Sequence, residues 1–123
     1  MTDKRKRLGM RGEDAACEYL ARRGLKILER NWRCGYGEAD IIALDKDVLV
    51  FCEVKTRRGI TVGPPEESVT YKKQERYYKI ARLYRDRISV RHSSLRFDVV
   101  SVQVDKNDTS ARLRYMPAAF GRL

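Results

Sequence analysis

Between Gly35 and Lys55, two apolar runs flank one short polar turn, Asp45-Lys46-Asp47. Runs of four to eight apolar and β-branched residues bounded by turn signals read as buried strands. The stretch therefore predicts a β-hairpin. Val48 to Cys52 is apolar at every position, which predicts a strand covered on both faces. Acids close the open end of the hairpin: Glu38 and Asp40 on the first arm, and Glu53 on the second, with Lys55 two residues on. Side chains alternate along a strand, so Glu53 and Lys55 point the same way. Pairing Asp45 with Val48 across a two-residue loop sets Asp40 opposite Glu53. A one-residue slip would separate them onto opposite faces.

The flanking segments read as follows. A helix is predicted over Leu8 to Arg23, stopped by Gly24. Ala16, Cys17 and Leu20 mark its inner face, which Glu13 shares, while Asp14 and Glu18 lie on a more exposed side. Gly9 and Gly12 beside Glu13 permit close backbone approach. Leu25 to Arg33 reads as a strand, with Trp32 as core or edge packing. After Lys55, Thr56 to Gly59 and Pro64-Pro65-Glu66-Glu67 form a connection rich in breakers. A second helix is predicted from Val69 or Thr70 to Arg87, with Thr70 as N-cap and an apolar stripe of Tyr77, Tyr78, Ala81, Tyr84 and Ile88. Gln74 points inward at its start. Leu95 to Val104 and Ala111 to Met116 read as strands, and Asp98 within the former pairs with an arginine such as Arg96 or Arg114 or serves as a cap. The predicted fold is α/β, a mixed central sheet of about five strands in the order α-β-β-β-α-β-β. Residues 1–7 are expected to form a basic arm, 8–116 one domain, and 117–123 a tail.

Charge changes the picture. The 123 residues hold 27 Lys and Arg against 17 Asp and Glu, a formal +10. Gly35 to Lys55 reverses the balance, with five acids and two bases. An acidic island in a basic surround suits a protein that attracts a polyanion and holds a cation where the polyanion docks. Converging carboxylates near a core repel one another, and a divalent cation removes the conflict. Mg²⁺ favours one or two carboxylates with water and phosphate oxygens, and a neighbouring lysine can orient or activate water. Arg57 and Arg58, just past the acids, and Lys72, Lys73 and Arg76 on the second helix are candidate phosphate contacts. Three widely spaced cysteines and one histidine offer no zinc pattern. They read as thiols of a reducing compartment, so a cytoplasmic location is expected, with no membrane segment and no small-molecule cofactor.

Taken in order, Gly12-Glu13, Gly37-Glu38-Ala39-Asp40, Glu53-Val54-Lys55-Thr56-Arg57, the Gln74-to-Tyr78 spacing and Arg96-Phe97-Asp98-Val99-Val100 resemble the YraN family. That family is similar to archaeal Holliday-junction resolvases and RecB-like nucleases of the PD-(D/E)xK superfamily, which have a restriction-endonuclease-like core. The resemblance implies a Mg²⁺- or Mn²⁺-dependent endonuclease acting on DNA, with branched or structured DNA as a candidate substrate. It implies Asp40 and Glu53 as metal ligands, Glu13 as a further ligand and Lys55 as the catalytic lysine, supported by Glu38, Gln74 and Tyr78. The superfamily's usual proline before the aspartate is Ala39 here. Resolvase-like relatives are commonly two-fold dimers, so a homodimer is one option the resemblance carries. The alternatives are a nucleic-acid-binding protein that does not cut, and an adaptor in DNA repair or recombination.

Overall fold

Lys46 and Asp47 form the two-residue loop of the expected hairpin: Asp45 pairs with Val48, and the ladder continues to Ile41 with Cys52. Lys46 takes a φ of 57°, the left-handed conformation that tight hairpin loops demand. The computed structural model describes residues 3–59, 69–105, 107 and 110–121. Its elements are α1 (Asp3–Arg22), β1 (Lys26–Cys34), β2 (Gly37–Asp45), β3 (Val48–Arg58), α2 (Tyr71–Arg87), β4 (Ser94–Val104) and β5 (Ala111–Phe120). This is the predicted α-β-β-β-α-β-β order.

The five strands form one mixed sheet in sequence order. The pairings β1–β2, β2–β3 and β4–β5 are antiparallel, and β3–β4 is parallel. A parallel neighbour requires a crossover, and α2 lies within it. The helices cover opposite faces. Ala16 and Leu20 of α1 pack on Ile41, Ala43, Val50, Cys52, Val100 and Val102. Tyr77, Ile80, Ala81 and Tyr84 of α2 pack on Ile42, Leu49, Phe51 and Phe97. Alternate residues of Val48 to Cys52 in β3 thus enter two different cores, which is why that half of the strand lacks polar positions. Trp32 meets Tyr84 edge-on at 5.1 Å, and Phe51 does so at 5.8 Å. Such pairs add about 0.5–1.5 kcal/mol beyond their buried area.

Helix ends follow the local sequence. Leu25 N–H donates to Leu20 C=O, and Gly24 N–H donates to Ala21 C=O, the paired bonds of a Schellman cap, with Gly24 at φ 98°. Thr70 caps α2 by accepting from Lys73 N–H at 3.1 Å.

Two expected boundaries move. Helix α1 begins at Asp3 rather than Leu8, because the Lys and Arg residues of the basic segment are good helix formers with no breaker among them. Strand β5 continues through Pro117 to Phe120 rather than ending at Met116. It is an edge strand, where a proline need not supply a ladder donor. The Pro64-Pro65-Glu66-Glu67 connection lies outside the described residues.

Asp98 is fully buried and bonded on every side. Arg96 Nε donates to Oδ1 at 2.9 Å, Ala118 N–H donates to Oδ1 at 2.8 Å, and Tyr115 Oη donates to Oδ2. Arg96 also reaches Asp45 Oδ2 at 2.9 Å. The expected Asp98–arginine pair is therefore with Arg96, and the network ties the β2–β3 turn to β4 and β5.

Candidate active site

Strands β2 and β3 stop pairing after Ile41 and Cys52. Yet β2 extends back to Gly37 along β1, and β3 runs on to Arg58 along β4. A notch opens between them. At its apex Val54 N–H donates to Asp40 Oδ2 at 2.8 Å, a side chain standing in for the ladder. That bond holds the Asp40 carboxyl between the strands, within hydrogen-bonding contact of Glu53.

Helix α1 brings Glu13 to the same place. A Cβ on Gly12 would lie 1.9 Å from Thr56 Oγ1. Only glycine lets the helix backbone come this close to β3. Carboxylate oxygens of Glu13, Glu38 and Asp40 lie within 4.8 Å of one another. Arg33 Nε donates to Glu38 at 2.8 Å, and Arg30 lies 2.8 Å from Asp14 and 3.9 Å from Glu13.

Glu53 stands outside that group of three. Its side chain is 5% exposed, and both oxygens are engaged. Tyr77 Oη donates to Oε1 at 2.7 Å, while Lys73 and Lys55 reach Oε2, Lys55 at 3.4 Å. Lys73 comes from the first turn of α2, one helical turn before Tyr77, so both project onto the face of β3 that carries Glu53 and Lys55.

The electrostatics follow from this crowding. Burial, then the Glu53 charge and the hydrogen bond shared with it, push Asp40 up to about 8, against the opposing Val54 bond. Burial also acts against the Glu53 charge, but the hydrogen bond and charge of Lys73, with Tyr77 and Asp40 as donors, hold its pKa below the usual range. At neutral pH Asp40 thus favours its protonated form and Glu53 its charged form. Burial and the Lys73 charge push Lys55 down despite Glu53. Lys73 is raised because its Glu53 pair outweighs its desolvation.

The structure thus brings Glu13, Glu38, Asp40, Glu53 and Lys55 to one notch. Lys73, expected on the phosphate-binding surface, is inside it as the partner of Glu53. Tyr78 is not there: its ring packs on Phe97 at 5.2 Å, and the neighbouring Tyr77 makes the contact. Gln74 spends its amide on Val69 C=O at 3.1 Å, bracing the start of α2. Arg57 continues the alternation of Glu53 and Lys55. Arg58, Lys72 and Arg76 are exposed. The signal for Tyr77 and Lys73 was their helical spacing of four. The donor set fits a hard divalent cation: three carboxylates meet, and burial with the nearby Glu53 charge raises the pKa of one of them.

Among the described residues no helix is long and apolar enough to cross a membrane. The profile of Uncharacterised protein family UPF0102 matches residues 12–102, a span from Gly12 through the notch to β4. A UPF0102 protein of Dictyoglomus turgidum is 43% identical over 115 residues, 94% of this chain and 98% of its own. One from Rhodococcus jostii is 52% identical over 99 residues, 79% of this chain and 82% of its own. One from Moorella thermoacetica is 42% identical over 120 residues, 98% and 100% of the two chains. The chain belongs to the UPF0102 family, the YraN family that its motifs resemble.

Proposed function

We propose that this protein is a divalent-metal-dependent endonuclease that hydrolyses phosphodiester bonds in DNA. One observation carries the reading: Asp40 lies in the notch between β2 and β3, touching Glu53 on one side and clustered with Glu13 and Glu38 on the other. Burial, and after it the charge of Glu53, pushes Asp40 up to about 8, and a purely structural acid gains nothing from such a position.

Asp40, Glu13 and Glu38 would hold Mg²⁺ or Mn²⁺, with Glu53 beside them. When bound, the ion supplies Lewis-acid stabilisation of a phosphoryl oxygen and a more acidic water. The protein's own groups do the rest. Lys55, its pKa lowered by burial and by Lys73, acts as the neutral amine that takes a proton from the attacking water as the water oxygen bonds to phosphorus and the bond from phosphorus to the leaving strand breaks. Lys73 fixes the Glu53 carboxylate and offers charge to the phosphate. Arg57, Lys72 and Arg76 hold flanking phosphates without reading sequence.

The test is a Mg²⁺ and Mn²⁺ cleavage panel of duplex, single strand, flap and four-way junction. The expected result is cleavage by wild type that EDTA stops, and none by Asp40→Ala or Lys55→Ala, both still binding DNA. Equal cleavage by wild type and Asp40→Ala would overturn the reading. The second reading, a DNA-binding protein that does not cut, rests on the ion pair already occupying Glu53. It predicts binding indifferent to EDTA and no cleavage of any substrate.

A further inference from the structure

Tyr36 stands at the tip of a second two-residue hairpin loop. Cys34 pairs with Gly37, leaving Gly35 and Tyr36 as the loop. Such loops favour Gly, Asn and Asp, whose backbones suit them and whose side chains cost little in water. A tyrosine there is unusual. It is 50% exposed and belongs to neither core cluster. It is nonetheless braced: Lys79 Nζ lies over the ring, 5.7 Å from its centroid. The loop beside it is held close to α2, since a Cβ on Gly37 would lie 2.8 Å from Arg76 Cδ.

Its surroundings suggest a role. Glu38, two residues on, belongs to the acid group with Glu13 and Asp40. Lys72, Arg76 and Lys79 recur at spacings of four and three along α2, one stripe of a helix, whose latter two residues meet the loop. A cationic track with a half-exposed aromatic ring beside it is the combination that holds unpaired nucleotides: charges follow the backbone, and a base stacks on the ring. The two-residue loop fixes the backbone that carries the ring, so little backbone entropy is lost on stacking.

We propose that Tyr36 is a stacking platform for an unpaired DNA base next to the acidic notch, giving the site a preference for single-stranded or unpaired DNA over continuous duplex. The inference rests on the nuclease reading for its meaning, and its test separates the two. Fluorescence anisotropy in EDTA measures the affinity of wild type, Tyr36→Ala and Tyr36→Phe for a labelled single strand and for its duplex. A single strand carrying 2-aminopurine reports stacking directly through quenching.

The expected result is roughly a tenfold loss of single-strand affinity in Tyr36→Ala, with quenching abolished. Its duplex affinity should be unchanged, and Tyr36→Phe should match wild type in both readouts. Equal single-strand and duplex losses in Tyr36→Ala, or no loss in either, overturns the platform. If the wild type nevertheless cuts DNA in the cleavage panel, the platform falls alone. If wild type neither binds nor cuts DNA, both fall.

Discussion

Asp40 is the residue on which the electrostatics turn, and its proton is measurable. In metal-free protein its folded pKa of about 8 lies above its ordinary value of 3.8. The folded state then binds the proton more tightly than the unfolded chain. The resulting stability is fully present below pH about 4 and is lost as pH rises through about 8. Glu53 acts in the opposite sense: its lowered pKa adds stability above its ordinary 4.5 that disappears as pH falls through the folded value. Thermal unfolding in EDTA should therefore show a midpoint that falls between pH 5 and 8 and levels off above. Asp40→Asn keeps an acceptor for Val54 N–H and a donor for Glu53, so it should flatten that slope and be the more stable protein at pH 8–9. A wild-type midpoint that does not fall between pH 5 and 8 would contradict the assignment. Lys73→Met leaves the buried Glu53 with Tyr77, Asp40 and the partly exposed Lys55. It should cost about 1–3 kcal/mol in urea unfolding, and Glu53→Gln in the same chain should restore part of the loss. Sequence could nominate Asp40, Glu53 and Lys55 because strand alternation and a two-residue turn are local rules. The Lys73–Glu53 pair joins two elements across a crossover, and no local rule states where the first turn of α2 will land.

At the scale of elements, the two glycines of α1 make opposite predictions. Gly12 faces Thr56 with no room for a methyl group, whereas nothing lies within 4 Å of a Cβ on Gly9. Gly12→Ala should push α1 away from β3, lower the unfolding midpoint and move Glu13 away from Asp40, with cleavage reduced by about tenfold or more. Gly9→Ala should be neutral or stabilising by up to about 1 kcal/mol, the propensity gain of alanine in a helix. Equal melting temperatures for the two variants would show that the close approach does not position the helix. Both glycines look alike in the sequence, since each lies within four residues of Glu13. Only the packing of α1 on β3 separates them. Element boundaries were legible where a cap or turn residue marks them, as at Gly24, Thr70 and Asp45. They were misplaced where composition alone was the guide: a run of basic residues suggested a free arm, and Pro117 suggested an ending that an edge strand does not require.

For the whole molecule, the formal +10 has a quantitative consequence if the polyanion is DNA. The logarithm of affinity should fall linearly with the logarithm of salt concentration, by about 0.9 per phosphate neutralised. Arg57→Ala combined with Lys72→Ala should reduce that slope by about two, weakening all sequences alike. An unchanged slope would remove both residues from the binding surface. The asymmetry behind this prediction, a basic chain with one acidic stretch, was plain in the sequence. The fold divides that stretch: Glu38, Asp40 and Glu53 join Glu13 where β2 and β3 separate, Asp45 and Asp47 lie at the turn, and α2 carries its cationic stripe beside the first group. Glu13, Glu38 and Asp40 are expected to hold a divalent cation in exchange for the Asp40 proton. Calorimetric titration of Mn²⁺ at pH 7, in two buffers of different ionisation enthalpy, tests it most directly. The expected result is binding with about one proton released per ion, and loss of both binding and release in Asp40→Asn. Absence of Mn²⁺ binding to the wild type, or an identical titration of Asp40→Asn, would contradict it.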